Sequence, residues 1–133
     1  MACACFEPSA PLSWKLWPGR YRPPLGRPYR GLCRAKPGEA FEPDRNLLTT
    51  ACNMGYARSA CSRVPASAPD AVRLSLKSRG EVRWSLERGH YPVAGGMVGR
   101  GVPTGQGAVL DSQVEAYLRS CEDAEEPFGL LGE

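Results

Sequence analysis

Six cysteines, Cys3, Cys5, Cys33, Cys52, Cys61 and Cys121, carry the strongest chemical signal in this chain of 133 residues. Thiolates are nucleophiles and soft metal ligands, so their spacing is the first thing to weigh. Cys121 falls on the apolar stripe of a C-terminal helix, where a cysteine serves as a small buried hydrophobe. Cys3 and Cys5 are two apart, and an extended backbone would aim both to one side. Cys33, Cys52 and Cys61 lie in a Pro-rich half with few apolar periodicities. That half most needs a staple. We therefore read Cys3, Cys33, Cys52 and Cys61 as a four-thiolate metal or cofactor site. Cys5 is the substitute for Cys3, and the lone histidine, His90, is a further substitute ligand.

The spacing also bears on the metal. Structural zinc sites usually take close pairs, C-x₂₋₄-C, and none is present. One intervening residue, as in Cys3-Ala4-Cys5, is tight for two ligands to one tetrahedral ion. Singletons from distant segments suit the corners of an iron–sulfur cube, each iron taking its own thiolate. The pattern thus favours a [4Fe–4S] cluster, with structural zinc as the alternative. Arg34, Arg58 and Arg63 stand close to these cysteines in sequence and would offset thiolate charge.

Competing chemistries have weaker support. A disulfide framework fits the even count, but the N-terminus lacks a basic segment and an apolar run, so we expect a cytoplasmic chain with reduced thiols. A thiol enzyme would pair a cysteine with His90 as base. Free structural thiols are the plainest reading. Gly95–Gly101 has no Walker lysine and no strand–G-x-G-x-x-G–helix context. No paired acid–base constellation is evident, and the reading is a structural or electron-transfer protein rather than an enzyme.

Charge is uneven. From Lys15 to Lys36 the chain carries Arg20, Arg22, Arg27, Arg30 and Arg34 and no acid, whereas Glu115, Glu122, Asp123, Glu125 and Glu126 crowd the end. The basic stretch, with Trp17, Tyr21 and Tyr29, is an alternative nucleic-acid or acidic-partner module: arginines on phosphates, rings on bases. No nucleic-acid fold signature accompanies it, and a protein partner remains the other option. No run approaches the ~20 apolar residues that cross a bilayer.

The elements that must position the cysteines follow from pattern. Length suits one domain, and 13 prolines with 15 glycines predict much loop. Residues 1–42 read as an irregular Pro/Arg-rich arm pinned by its aromatics. Residues 43–64 form a short helix and a cysteine-containing loop, with Asp44 at the helix start and Leu47, Leu48, Ala51 and Cys52 on one face. Residues 70–98 form an antiparallel sheet. In the hairpin 71–87, Leu76 faces Val82, Leu74 faces Trp84 and Val72 faces Leu86, with Lys77 opposite Glu81 and Gly80 in the left-handed turn position. A third strand over 91–98 sits at an edge, as Pro92 requires. Ser112 caps a helix over 111–123, which packs on the hairpin, and 124–133 is a tail. The fold class is α+β.

Overall fold

The computed structural model describes residues 1–18, 22–54 and 61–125, and its fold is α+β. Readings that involve Arg20, Tyr21, Gly55, Arg58 or the tail beyond 125 lie outside the described residues.

The hairpin follows its apolar alternation. Strands Ala71–Ser78, Glu81–Arg88 and Tyr91–Gly99 form one antiparallel sheet in that order. Val72 pairs with Leu86, Leu74 with Trp84 and Leu76 with Val82, so one face collects the large apolar side chains. Gly80 has φ +78°, the left-handed conformation the turn requires. Lys77 does not face Glu81. The register slips by one residue, Ser78 pairs with Glu81 and its hydroxyl donates to the carboxylate at 2.9 Å. A tight Arg79-Gly80 turn plus a bulge at Lys77 replaces the expected longer loop and keeps the apolar face intact. The third strand lies at the edge and joins its neighbour through Gly89-His90, both at positive φ. Ala2 exchanges two backbone hydrogen bonds with Val72, covering the opposite edge.

Residues 1–42 are not irregular throughout. Phe6–Pro11 and Tyr29–Cys33 form a separate antiparallel ribbon. We number the strands in chain order: β1 (Phe6–Pro11), β2 (Tyr29–Cys33), β3 (Ala71–Ser78), β4 (Glu81–Arg88) and β5 (Tyr91–Gly99). The prolines argued against an inner strand. A two-stranded ribbon has only edges, and β1 accommodates Pro8 and Pro11 with a bulge between Pro8 and Ala10. Gly31 makes this close approach possible, because an added Cβ would lie 2.1 Å from the Glu7 carbonyl oxygen. Gly31→Ala is expected to destabilise the protein by about 3 kcal/mol, the upper end for overpacking, and to lower the urea midpoint. A midpoint equal to that of the parent would contradict this packing.

The short helix α1 spans Arg45–Leu47 and widens into a π-turn over Leu48–Cys52. Asp44 caps it, its carboxylate accepting from the Leu47 amide at 2.9 Å. Leu48, Ala51 and Cys52 are buried, and Leu47 packs against the same core. The wider turn ends where the Asn53 amide donates to the Leu48 carbonyl at 3.1 Å. Such π-turns often mark functional positions.

Helix α2 spans Ala108–Glu125, starting before Ser112. Ser112 therefore lies inside the helix and does not cap it. The Gly-rich stretch ends at Gly107, and Leu110 already belongs to the stripe that continues through Val114 and Leu118. Asp111 fixes the preceding loop instead, accepting from the Thr104 amide at 2.8 Å and hydroxyl at 2.7 Å. The stripe packs on Val72, Val82, Trp84, Leu86 and Val98. Another side of α2 meets the ribbon. There the Tyr29 hydroxyl donates to the Ala116 carbonyl at 2.8 Å, and Gln113 is wholly buried. Among the described residues, no helix is long and apolar enough to cross a membrane.

Candidate metal centre

Four segments of different kinds carry Cys3, Cys33, Cys52 and Cys61. Cys3 sits in a tight turn whose Phe6 amide donates to the Cys3 carbonyl at 3.2 Å. Gln113 of α2 holds that turn from beneath, its Nε2 donating to the carbonyls of Cys3 (2.8 Å) and Phe6 (2.7 Å). The Cys3 amide donates to the Cys52 carbonyl at 3.1 Å, tying the turn to the end of α1.

Cys33 ends β2. It pairs with Phe6 on one side and exchanges two backbone hydrogen bonds with Phe41 on the other. Cys52 closes the π-turn, which the next residue anchors. Asn53 is wholly buried, and its side chain mimics a strand edge. Its Oδ1 accepts from the Tyr29 amide at 2.9 Å, and its Nδ2 donates to the carbonyls of Tyr29 (2.8 Å) and Leu48 (2.9 Å). Cys61 lies on the loop before Val64 and packs, half-buried, against the same core.

These four cysteines line one cavity, together with Phe6, Phe41, Pro43, Leu47, Ala51, Arg63 and Val64. The cavity is small, about 10 Å³, room for roughly one water. Cys3, Cys33 and Cys52 are buried, and none of the six cysteines forms a disulfide. Among the described residues, no group of three or more His, Cys, Asp or Glu side chains stands in the geometry of a metal site. The sulfurs thus share a cavity wall without converging on one point.

The electrostatics reflect crowding. Burial pushes the Cys52 thiol up to about 12, and the sulfurs of Cys33 and Cys61, the Asp44 carboxylate and Cys5 add to the rise. The Cys3 thiol is also raised, first by a hydrogen bond with Cys5 and then by burial, while the Cys5 backbone acts the other way. The Cys5 amide donates to the Cys3 sulfur at 3.4 Å. Cys5 is therefore next to the site without lining the cavity.

The sign of the pH dependence follows from Cys52. Its folded pKa lies above the unfolded value of about 8.5. Its contribution to stability is fully present below that value and is lost as pH rises toward about 12. Reduced protein in the presence of a chelator should lose thermal stability over this range more steeply than its Cys52→Ala variant. Parallel melting profiles would contradict the assignment.

Arg63 is the cation of the site. Its guanidinium carbon lies 3.8 Å from the centroid of the Phe41 ring, and its outer Nη2 pairs with exposed Glu39. Hydrogen bonds to Glu39 and then to the Cys33 sulfur raise its pKa further. Its Nε is buried and has no acceptor among the described residues.

The other candidates lie elsewhere. His90 occupies the exposed β4–β5 turn and is not among the residues lining the cavity. Cys121 is half-buried on α2, beside Tyr117. In the basic arm, Arg34 pairs with Glu7 at 2.7 Å and Arg27 donates to the Leu12 carbonyl at 3.3 Å. Trp17 and Tyr29 are buried, so they pin the arm and are not presented for base stacking. Asn53 and Gln113 are not among the candidates drawn from the sequence. The available signal for Gln113 was a polar residue set inside the Leu110–Val114–Leu118 stripe.

No family model, curated protein or solved structure matches the chain, so the reading of the site rests on its own residues.

Proposed function

We propose that this protein is a small metalloprotein in which Cys3, Cys33, Cys52 and Cys61 hold a [4Fe–4S] cluster, in a structural or electron-transfer role. The observation that carries the reading is their common cavity. A turn, a strand end, a helix end and a loop each contribute one thiol to its wall. One thiol per segment suits one iron per corner. The rise in the Cys52 pKa is what crowded, buried sulfurs show without a cation, and bound iron reverses it by taking thiolates. Arg63 offsets part of the charge that four thiolates bring.

A single zinc ion is the second reading, and the cavity volume favours it. About 10 Å³ admits an ion but not a cube unless the walls move outward. Of the four thiols, that of Cys61 lies half-buried on a loop outside helices and strands, where such movement costs least.

The deciding experiment is anaerobic purification, followed by reconstitution with iron and sulfide. The cluster reading predicts a brown protein absorbing at about 400 nm with about four irons and four sulfides per chain. Colourless protein with one equivalent of zinc would replace it with the zinc reading. Protein that takes up neither would remove both.

A further inference from the structure

We propose that the groove between the Trp14–Leu16 turn and α1 binds a small phosphate monoester, with Lys15 and Arg45 matching its two negative charges. The groove shares no residue with the cysteine cavity, so the inference is independent of the cluster reading.

Two segments make the walls. Lys15, Trp17 and Pro18 lie on one side, and Arg45, Asn46 and Thr49 on the other. The first wall is a short turn that Ser13 caps, its hydroxyl accepting from the Lys15 amide at 3.2 Å. Trp17 is buried and anchors that turn. The second wall is the face of α1 and its π-turn that turns away from buried Leu48 and Ala51. The Thr49 hydroxyl donates to the carbonyls of Arg45 at 3.0 Å and Asn46 at 3.2 Å, which ties this wall together.

The charge of the groove is unmatched. Elsewhere the fold pairs its arginines: Arg34 with Glu7, Arg73 with Glu87, and Arg100 with Glu122. Among the described residues, no acid lines the groove, and the side chains of Lys15, Arg45 and Asn46 have no partner. Asp44 is the sequence neighbour of Arg45, but its carboxylate caps α1 by accepting from the Leu47 amide.

Two cations without a counter-charge call for a dianion. A phosphate monoester carries close to two charges near neutral pH and three terminal acceptor oxygens, whereas a carboxylate carries one charge. The Arg45 guanidinium can grip two of those oxygens with its fork, and the Lys15 ammonium and the Asn46 amide supply further donors. The groove holds about 390 Å³, within the range of small-molecule sites and larger than a phosphate alone. Leu16, Trp17 and Pro18 give it an apolar side for the organic part of the ester.

The test titrates phenyl phosphate into the reduced full chain and follows amide and indole signals by NMR. Saturable binding with a dissociation constant of about 1 mM is expected for a ligand of this size, with shifts centred on Lys15, Trp17, Arg45 and Asn46. Benzoate has the same ring and one charge, and should bind about fivefold more weakly or worse. Lys15→Gln and Arg45→Gln should each weaken phenyl phosphate by about fivefold, through loss of a hydrogen bond to a charged group. Both residues are exposed, so the fold should persist in either variant. Arg30→Gln, exposed on β2 and outside the groove, is the control and should bind like the parent. An equal loss in Arg30→Gln, or shifts spread over exposed arginines at large, would mean diffuse charge attraction and overturn the site. Benzoate bound as tightly as phenyl phosphate would overturn the ligand class. Absence of saturation at about ten times the expected constant would overturn the inference outright.

Discussion

Replacing Cys52 with serine is expected to lower retained iron by roughly 100-fold or more, beyond the 10- to 100-fold typical of residues that only support a ligand. Cys52 closes a π-turn and is buried. Its carbonyl accepts from the Cys3 amide, and its neighbour Asn53 is bonded to β2. Serine preserves volume and offers a hydroxyl, which stays protonated where a thiolate would bind iron. The same loss is expected for Cys33→Ser and Cys61→Ser. Cys5→Ser should cost less, since Cys5 touches the Cys3 sulfur without lining the cavity. Cys121→Ser is the control and should load like the parent. Iron analysis after desalting reads all five variants. If Cys121→Ser and Cys52→Ser lost iron equally, the shared cavity would have no bearing on binding.

The second large effect concerns stability. Asn53→Leu should destabilise the fold by about 3–5 kcal/mol, because three side-chain hydrogen bonds to buried backbone groups are lost at once. The Tyr29 amide, the Tyr29 carbonyl and the Leu48 carbonyl all bond to this one side chain, which is wholly buried. Leucine keeps the branched shape but has no polar atoms, and its two methyl groups are bulkier than the amide, so overpacking of this buried site adds to the lost hydrogen bonding. Asn53→Asp should be no better. It keeps the acceptor for the Tyr29 amide but turns a carboxylate toward two carbonyls in place of the donor Nδ2. A fall in melting temperature of about 10–20 °C is expected for either variant at this chain length. Thr49→Ala, on the exposed side of the same helical segment, should change it by no more than a degree or two. An Asn53→Leu variant as stable as the parent would show that the bridge between α1 and β2 is not structural.

Legibility in the sequence tracked how local the determinants are. The β3–β4 hairpin was readable because strict alternation fixes which residues face each other and Gly80 fixes the turn. The one error, Lys77, lay at the bulge, where one residue of slack leaves the apolar face unchanged. The stripe of α2 was readable, but its start was not, since a Gly-rich loop ending at Gly107 gives no polar cap to mark it. The β1–β2 ribbon was hidden by Pro8 and Pro11, which signal loop unless both strands are edges. Its pairing of Phe6 with Cys33 also spans a long interval without a periodic cue.

The candidate site divides in the same way. Cys3, Cys33, Cys52 and Cys61 could be chosen as candidates by residue type, with Cys121 set aside because it falls on the apolar stripe. Arg63 on Phe41, Gln113 under the Cys3 turn and Asn53 against Tyr29 could not be placed, because each contact joins segments brought together only by the fold.

Native mass spectrometry of anaerobically reconstituted protein tests the central claim most directly, since it counts what four thiols hold in one chain. The account predicts a species about 350 Da above the polypeptide, the mass of four irons and four sulfides, lost together when Cys52 becomes serine. A bare polypeptide mass under these conditions, or a cluster mass that survives in Cys52→Ser, would contradict it.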